Sequence, residues 1–178
     1  MKLKIIIGLV VLVVVIGLVW ARSRPVAAPV NLTVGENEAS TTPTTPETMT
    51  MTIKVFFGNN RNDPQSLYCE RAYPALREVT KTVASARAAL RELLAGPTET
   101  EQAQGFFTAL NSGVTLQSLT IKNGVATADF SARLGEGVGG SCLVTAIRAQ
   151  IGETLKQFST VDSVIISING QSEDILQP

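Results

Sequence analysis

The sequence predicts an α+β domain in which two helices pack on one face of a small mixed or antiparallel sheet. Three patterns indicate this class: alternating apolar residues typical of strands near both ends of residues 51–178, two apolar stripes at helical spacing, and one hairpin signal between them. Their order along the chain is strand, helix, hairpin, helix, strand. A segment of this length can bury one hydrophobic core, so we expect a single folded domain there.

The first strand is followed by two segments that are harder to interpret. Residues 59–66 have the composition of a turn. A calcium loop is not expected there, because Asp63 is its only carboxylate and calcium takes about six to eight oxygen ligands. Residues 68–79 are ambiguous, since Pro74 disfavours both a regular helix and a central strand. The strand itself is predicted from Ile53, Val55 and Phe57, which alternate with their neighbours.

The first helix is predicted to begin after Thr82, a suitable N-cap, and to end at Gly96-Pro97. Thr98 with Glu101 predicts a capping box for a short second helix. The apolar stripe of the first helix consists of Val83, Ala86, Leu90, Leu93 and Leu94.

A β-hairpin is predicted around Asn123-Gly124, a dipeptide that favours the tight turn of two-residue hairpin loops. Apolar residues change from even to odd positions along its first strand, and a one-residue slip would turn buried side chains to the wrong face. We therefore predict a β-bulge near Gln117-Ser118. The facing pairs are then Lys122 and Val125, Ile121 and Ala126, Leu119 and Ala128, and Leu116 and Phe130.

Glycine-rich residues 135–140 precede the last helix, for which Ser141 is a suitable N-cap. Gly135, Gly137 and Gly140 match the G-x-G-x-x-G pattern of dinucleotide-binding folds. That fold needs parallel strands joined by crossovers, whereas the preceding strand belongs to an antiparallel hairpin, so we interpret the glycines as a flexible helix entry. The helix carries Leu143, Ala146, Ile147, Ile151, Leu155 and Phe158 on one stripe, and the last strand carries Val164, Ile166 and Ile168 on one face.

Two groups of residues are possible interaction sites. Backbone N–H groups at Gly139, Gly140 and Ser141 open a helix, and a helix N-terminus favours an anion or a partner's carboxylate. Arg87 and Arg91 lie one turn apart on the polar face of the first helix, where they could contact an anion or an acidic partner. The alternative interpretations are a flexible helix entry for the first group and solvated surface for the arginines.

The two cysteines, Cys69 and Cys142, are widely separated in the chain. An even count in a domain outside the cytoplasm indicates a disulfide, which would contribute about 4 kcal/mol in the chain-entropy model. The alternative is a reactive thiol at Cys142, because a thiolate is favoured near a helix N-terminus.

The N-terminal part of the chain predicts a membrane anchor and a tether. Residues 1–21 contain an uncharged apolar run that ends in Trp20, which suits a transmembrane segment with an interfacial aromatic residue. A cleaved signal peptide is the alternative. Residues 22–50 are rich in Thr and Pro and predict an extended linker. The folded part, residues 51–178, is expected on the outer side of the membrane.

Composition excludes several classes of function. The chain has no histidine, which removes Ser-His-Asp and Cys-His catalysis and imidazole-bound zinc. Acidic residues outnumber basic ones after residue 24, so nucleic acid is not an expected partner. Asp129 and Glu136 are the one possible pair of catalytic carboxylates, and we interpret them as ordinary surface carboxylates. We expect no catalytic residues, no metal site, no cofactor and no enzymatic activity.

Several motifs of residues 51–178, taken together, are found in a known family. They include Leu93-Leu94-Ala95-Gly96-Pro97-Thr98 with Glu101, Asn123-Gly124, Asp129-Phe130-Ser131, Gly140-Ser141 and Ile166-Ser167-Ile168-Asn169-Gly170. Through these motifs the domain resembles the GerMN family, named from sporulation and spore-germination proteins, and this chain carries one copy.

The resemblance implies two helices against a small sheet, similar to the ring-building motifs of secretion and sporulation complexes. It implies a membrane-tethered envelope protein that joins or localises such assemblies, and it carries over no catalytic residues. We therefore expect a single-pass protein of the bacterial cell membrane whose outer domain contacts envelope proteins or copies of itself. The alternatives are binding of a cell-wall polymer or small ligand, with Phe56, Tyr68 and Tyr73 nearby, and an enzyme that acts on the wall.

Overall fold

The computed structural model describes residues 49–177. The expected anchor, residues 1–21, and nearly all of the expected linker, residues 22–50, lie outside this range. None of the helices between residues 49 and 177 combines the length and the hydropathy that a membrane span requires.

Residues 49–177 form six strands, three α-helices and one 3₁₀ turn. In chain order these are β1 (Thr50–Asn59), β2 (Tyr73–Thr80), α1 (Ser85–Ala95), α2 (Glu99–Ala103), β3 (Phe106–Phe107), β4 (Leu116–Lys122), β5 (Val125–Phe130), the 3₁₀ turn Ala132–Leu134, α3 (Ser141–Lys156) and β6 (Ser163–Ile168). The predicted α+β class is confirmed. The strands, however, form two three-stranded sheets of order β2-β1-β3 and β4-β5-β6 rather than a single sheet.

The two long helices connect the two sheets. Helix α1 packs against β1 and β4, and α3 packs against β1 and β6. Strands β5 and β6 run parallel, while the other strand pairs are antiparallel. The main core therefore lies between the helices and both sheets. Its largest fully buried apolar side chains are Phe57, Phe130, Leu90, Leu93, Leu134, Ile147, Ile151, Leu155 and Val55.

Strand β2 occupies most of the segment that the sequence left ambiguous. It is the outer strand of its sheet, and Pro74 pairs with Phe56 of β1 at one end of the ladder. A proline is tolerated in an outer strand because its missing N–H can face away from the ladder. Pro74 therefore does not lie in a central strand, as predicted. It lies in an edge strand, which a proline does not exclude.

Helix α1 begins later than predicted. Its first residue is Ser85, and Thr82 accepts the N–H of Ala84 through its hydroxyl, ahead of the helix. Val83 is fully exposed and does not belong to the buried stripe. The predicted end is confirmed, since Gly96 follows the helix with a positive φ of 79°, a conformation that glycine adopts without strain.

The hairpin prediction is confirmed in detail. Lys122 pairs with Val125 across the Asn123-Gly124 turn. The register shifts between Leu116 and Ser118, which is the predicted bulge. The bulge restores the pairing of Leu116 with Phe130, a fully buried side chain. The capping box of α2 is also present, with the side chains and backbones of Thr98 and Glu101 bonding reciprocally.

The entry to α3 differs from the prediction in two ways. Gly140 occupies the N-cap position, Ser141 is the first helical residue, and no side chain caps the helix. In addition, β5, α3 and β6 form a crossover with parallel strands. The antiparallel hairpin alone therefore does not exclude a dinucleotide-binding pattern. A 3₁₀ turn separates β5 from the glycines, whereas the dinucleotide pattern begins directly after its strand.

A row of polar side chains on α3 supplies hydrogen bonds to neighbouring backbone. The Thr154 hydroxyl accepts the N–H of Phe56 at 3.1 Å. The Gln157 amide accepts the N–H of Lys54 at 2.9 Å and donates to its carbonyl at 2.6 Å. Strand β3 pairs with β1 only beyond this region, so these side chains satisfy β1 backbone groups that face no strand.

Arg77 on β2 joins three elements through its guanidinium, although its side chain is only 9% exposed. It donates to the Glu92 carboxylate of α1 at 3.0 Å, to Glu101 of α2 at 3.0 Å, and to the carbonyl of Gly96 at 2.8 Å. The guanidinium also lies 5.4 Å from the centre of the Phe57 ring. This buried charge is therefore fully surrounded by partners.

Burial and ion pairing shift the pKa values of Arg77 and Glu101 in opposite directions. Burial alone would lower the pKa of Arg77, but hydrogen bonds and charges of Glu101 and Glu92 outweigh it and raise the pKa. Burial alone would raise the pKa of Glu101, but hydrogen bonds from Arg77 and from the Thr98 N–H lower it below its usual range. Ionised Glu101 thus stabilises the folded state.

We predict that Glu101→Gln lowers the unfolding free energy by about 1–3 kcal/mol at neutral pH, because it removes a charged partner of a buried arginine. The folded-state pKa of Glu101 is lowered, so this stabilisation is complete above its unfolded pKa of about 4.3 and is lost as the pH falls through the lower folded-state pKa. Urea unfolding of variant and parent across this range measures the difference.

Glu99→Gln is the matched control, since Glu99 lies in the same short helix and is exposed. It is expected to leave the unfolding free energy nearly unchanged. A Glu101→Gln effect that stays constant down to about pH 2 would contradict the proposed role of the ionised carboxylate.

Candidate functional site

Cys69 and Cys142 form a disulfide with their Cα atoms 5.2 Å apart. Cys69 lies in the loop between β1 and β2, and Cys142 lies in the first turn of α3. The bond fastens this long loop to the beginning of a helix that follows it by 73 residues. The first sheet and the α3 entry are therefore held together at this point by a covalent link.

Two polar side chains give the same loop its shape. The Asn59 side chain, which is buried, accepts the N–H groups of Arg61 and Asn62 at 2.8 and 3.1 Å. The Asp63 carboxylate accepts the N–H groups of Leu67 and Tyr68 at 3.1 and 3.0 Å. Asp63 thus fixes the loop conformation by accepting two backbone N–H groups. The segment is a loop, as predicted, and its own side chains hold it in one conformation.

A cavity of about 610 Å³ lies beside the disulfide. Its volume falls within the range of about 300–1,000 Å³ that is typical of small-molecule sites. The end of β1, the β1–β2 loop, the residues after β3 and the first half of α3 surround it. The residues that line it are Gly58, Asn59, Asp63, Ser66, Tyr68, Cys69, Arg71, Tyr73, Phe107, Thr108, Ala109, Gly139, Gly140, Ser141, Cys142, Leu143, Ala146 and Gln150.

Aromatic rings form the walls of this cavity. The Phe107 ring lies directly against Gly58, where any side chain would collide with the ring. On the loop side, the Arg71 guanidinium stacks over the Tyr68 ring at 3.7 Å from its centre. Tyr73 at the start of β2 completes the aromatic part of the lining. The cavity therefore offers apolar contact area next to one cationic group.

Gln150 of α3 also lines the cavity and is only 1% exposed. Its side-chain oxygen accepts the N–H of Ala109 at 3.1 Å and the hydroxyl of Thr108 at 3.3 Å. A backbone N–H can only donate, so the atom that faces Ala109 must be the amide oxygen. The orientation of the Gln150 amide is thereby fixed, with its Nε2 group on the other side.

The start of α3 contributes backbone donors. The first helical hydrogen bond runs from Val144 N–H to the Gly140 carbonyl, and no side chain caps the helix. The N–H groups of Ser141, Cys142 and Leu143 therefore have no acceptor within the helix, as at any uncapped N-terminus. All three residues line the cavity.

The structure brings together only some of the residues that were predicted from the sequence as possible interaction sites. Gly139, Gly140 and Ser141 lie on the cavity together with the disulfide. Arg87 and Arg91 lie on α1 and do not line it. Among the aromatic candidates, Tyr68 and Tyr73 line the cavity and Phe56 does not.

Three residues of the site were not identified from the sequence. Gln150 could have been noticed as a polar residue within a buried helical stripe. Phe107 lies in a two-residue strand, and Arg71 in the loop, so neither belongs to a periodic pattern. Nothing short of the tertiary structure places these two beside α3.

Asp129 and Glu136, the possible acid pair, both make structural contacts. Asp129 accepts the Ser167 hydroxyl at 2.7 Å and the N–H of Gly170 at 2.8 Å. Glu136 forms an ion pair with Arg133 at 2.7 Å. Neither carboxylate lines the cavity.

The fold is that of a GerMN-type α+β domain, here with a disulfide-bordered cavity. A family model described as "Germane: Sporulation and spore germination" matches residues 54–174, and the chain therefore belongs to the Germane family. The predicted family resemblance is confirmed. No match to a curated protein is found.

Solved structures agree with this assignment. The tandem GerMN domains of the sporulation protein GerM from Bacillus subtilis are similar with a TM-score of 0.53 and 23% identity, over 70% of this chain and 41% of that chain. The first GerMN domain of that protein is similar with a TM-score of 0.50 and 25% identity, over 68% of this chain and 85% of the other. This chain thus spans less than half of the tandem structure.

We predict that replacing both cysteines by serine lowers the unfolding free energy by about 4 kcal/mol, because the unfolded chain regains the entropy of a 73-residue loop. Denaturant unfolding of the double variant and of the oxidised parent measures this. The reduced parent is the control for the substitutions themselves. A loss below about 1 kcal/mol would contradict a dominant contribution of the bond to stability.

Proposed function

We propose that this Germane domain stands on the outer side of the bacterial cell membrane, held by an anchor in residues 1–21 and a linker in residues 22–50, and acts by docking a protein of the cell envelope. Membership of a sporulation and germination family supports an assembly role. The uncharged apolar run before Trp20 supports the anchor. The Cys69–Cys142 bond supports the outer location, because structural disulfides persist in oxidising compartments.

The observation that carries the docking proposal is an apolar rim around the cavity. We define this rim as Tyr68, Phe107 and Leu143, which line the cavity, together with Leu67, which lies in the chain between the lining residues Ser66 and Tyr68. Leu67 is 66% exposed and Tyr68 is 44% exposed, and Phe107 and Leu143 are each 37% exposed. Grouped apolar side chains on a surface mark interaction sites, and tyrosine and phenylalanine are enriched at the cores of interfaces.

The rim is also well suited to docking because it is held rigidly. The disulfide, the Asp63 hydrogen bonds and the Phe107–Gly58 contact each fix one part of it. A preorganised surface loses little conformational entropy when a partner binds. The proposal includes no reaction.

A second candidate function is the binding of a small ligand in the cavity beneath the rim. The cavity's volume and its mixture of aromatic walls and a few polar groups favour this function.

We predict that a photo-crosslinking amino acid at Leu67 captures an envelope protein, or a second copy of this chain, in intact cells at native expression. Leu76 is the matched control, because it is similarly exposed at 68%, while neither it nor its chain neighbours Ala75 and Arg77 line the cavity. Mass spectrometry of the crosslinked bands identifies the captured protein. Docking through the rim predicts a discrete product from Leu67 and none from Leu76.

Equal products from both positions would indicate unspecific proximity and would contradict docking through the rim. The absence of any product from Leu67, Tyr68 and Leu143 alike would have the same meaning. Either result would leave the family assignment and the fold untouched.

A further inference from the structure

We propose that the cavity binds a carboxylate that carries an apolar body, with the carboxylate at the start of α3 and the apolar body between the aromatic walls. This inference names the ligand class of the second candidate function. It does not depend on the membrane anchor or on docking through the rim.

The charged groups around the cavity favour an anionic ligand. Its lining contains two charged side chains, Arg71 and Asp63. Both Asp63 oxygens accept backbone N–H groups of the loop, which uses the carboxylate as a structural acceptor. Within residues 49–177 the Arg71 guanidinium forms no ion pair and instead lies on the Tyr68 ring. Arg71 is therefore the charge available to a ligand, and it selects an anion.

The uncapped start of α3 also favours an anion. Ser141, Cys142 and Leu143 line the cavity, and their N–H groups have no acceptor within the helix. The positive end of the helix dipole adds to their attraction for an anion. The disulfide joins this helix turn to Cys69, two residues before Arg71, which lines the same cavity.

Gln150 offers the cavity a further hydrogen-bond donor that does not belong to the helix end. Its amide oxygen is used by Ala109 and Thr108, and no group in residues 49–177 accepts a hydrogen bond from its Nε2 atom. No side-chain nitrogen or oxygen that is wholly buried in this part of the chain lacks a partner, so Nε2 must reach accessible space. For a side chain that is 99% buried and lines the cavity, that space is the cavity. A donor that faces the cavity without a protein acceptor is left to a ligand or to water.

These donors are all consistent with one carboxylate. Guanidinium, backbone N–H and carboxamide groups bind carboxylate oxygens, and arginine does so with two parallel hydrogen bonds. The remaining lining contains the apolar or aromatic residues Tyr68, Tyr73, Phe107 and Leu143, with the polar residues Asn59, Ser66 and Thr108 beside them. A single cationic side chain beside such walls suits a singly charged apolar anion. Two sources share this chemistry: a free apolar acid and the C-terminus of a peptide that ends in an apolar residue.

The test uses the full-length chain in lipid nanodiscs and three probes. N-acetyl-L-phenylalanine mimics a chain terminus, its amide lacks only the charge, and hydrocinnamate is a free acid without a peptide group. Calorimetry measures affinity, and backbone NMR follows the N–H groups of Ser141, Cys142 and Leu143. We expect the acid to bind at least about tenfold more tightly than its amide and to shift these three N–H signals.

The matched variants are Arg71→Gln and Arg87→Gln, since Arg87 does not line the cavity. Arg71→Gln is expected to weaken binding of the acid about tenfold and to leave the weak binding of the amide unchanged, while Arg87→Gln changes neither. Tighter binding of N-acetylphenylalanine than of hydrocinnamate would identify a chain terminus as the source. The reverse order would identify a free acid.

Equal affinity for acid and amide would overturn the proposal, because it would show an apolar pocket without anion selectivity. Absence of binding by both acids would overturn it as well, as would binding that Arg71→Gln leaves unchanged. None of these results would affect crosslinking from Leu67, so failure of this inference is distinguishable from failure of the docking proposal.

Discussion

The covalent bond between Cys69 and Cys142 is the constraint on which the candidate site depends. The loop between β1 and β2 contributes no side chain to the main core. It is held by its own hydrogen bonds, by hydrogen bonds from Asn60 and Arg61 to the carbonyls of Gly105 and Ala103, and by this bond. A loop held this way can present exposed apolar side chains without collapsing onto the core. The bond therefore fixes the loop side of the cavity, including Tyr68 of the rim.

Helix α3 connects this site to the rest of the fold. Its apolar side chains, among them Ile147, Ile151 and Leu155, fill the core. Its polar row serves backbone groups that face no strand, with Thr154 and Gln157 on β1 and Gln150 at Ala109. A helix that satisfies neighbouring backbone in this way is fixed in rotation as well as position. Its N-terminus is consequently held at the cavity.

The sequence predicted best what depends on neighbouring residues. Asn123-Gly124 specified the hairpin, and the change of apolar parity before Leu119 specified the bulge, because register is decided by which face a side chain must reach. Features that depend on contacts between residues far apart in the chain were predicted less well. Pro74 could be assigned to an outer strand only once the strand order was known. The cavity was not predicted, because Arg71, Phe107 and Gln150 become neighbours only through tertiary structure.

The Cys69–Cys142 bond and the proposed outer location both require that the folded part of the chain matures in an oxidising compartment. The most direct measurement is maleimide labelling of Cys69 and Cys142 in intact cells, with acid quenching before lysis and a second labelling after reduction. An outer location predicts that both thiols are protected until the reductant is added. Full labelling of both cysteines before reduction would contradict it, since the loop would then lack the bond that holds it to α3.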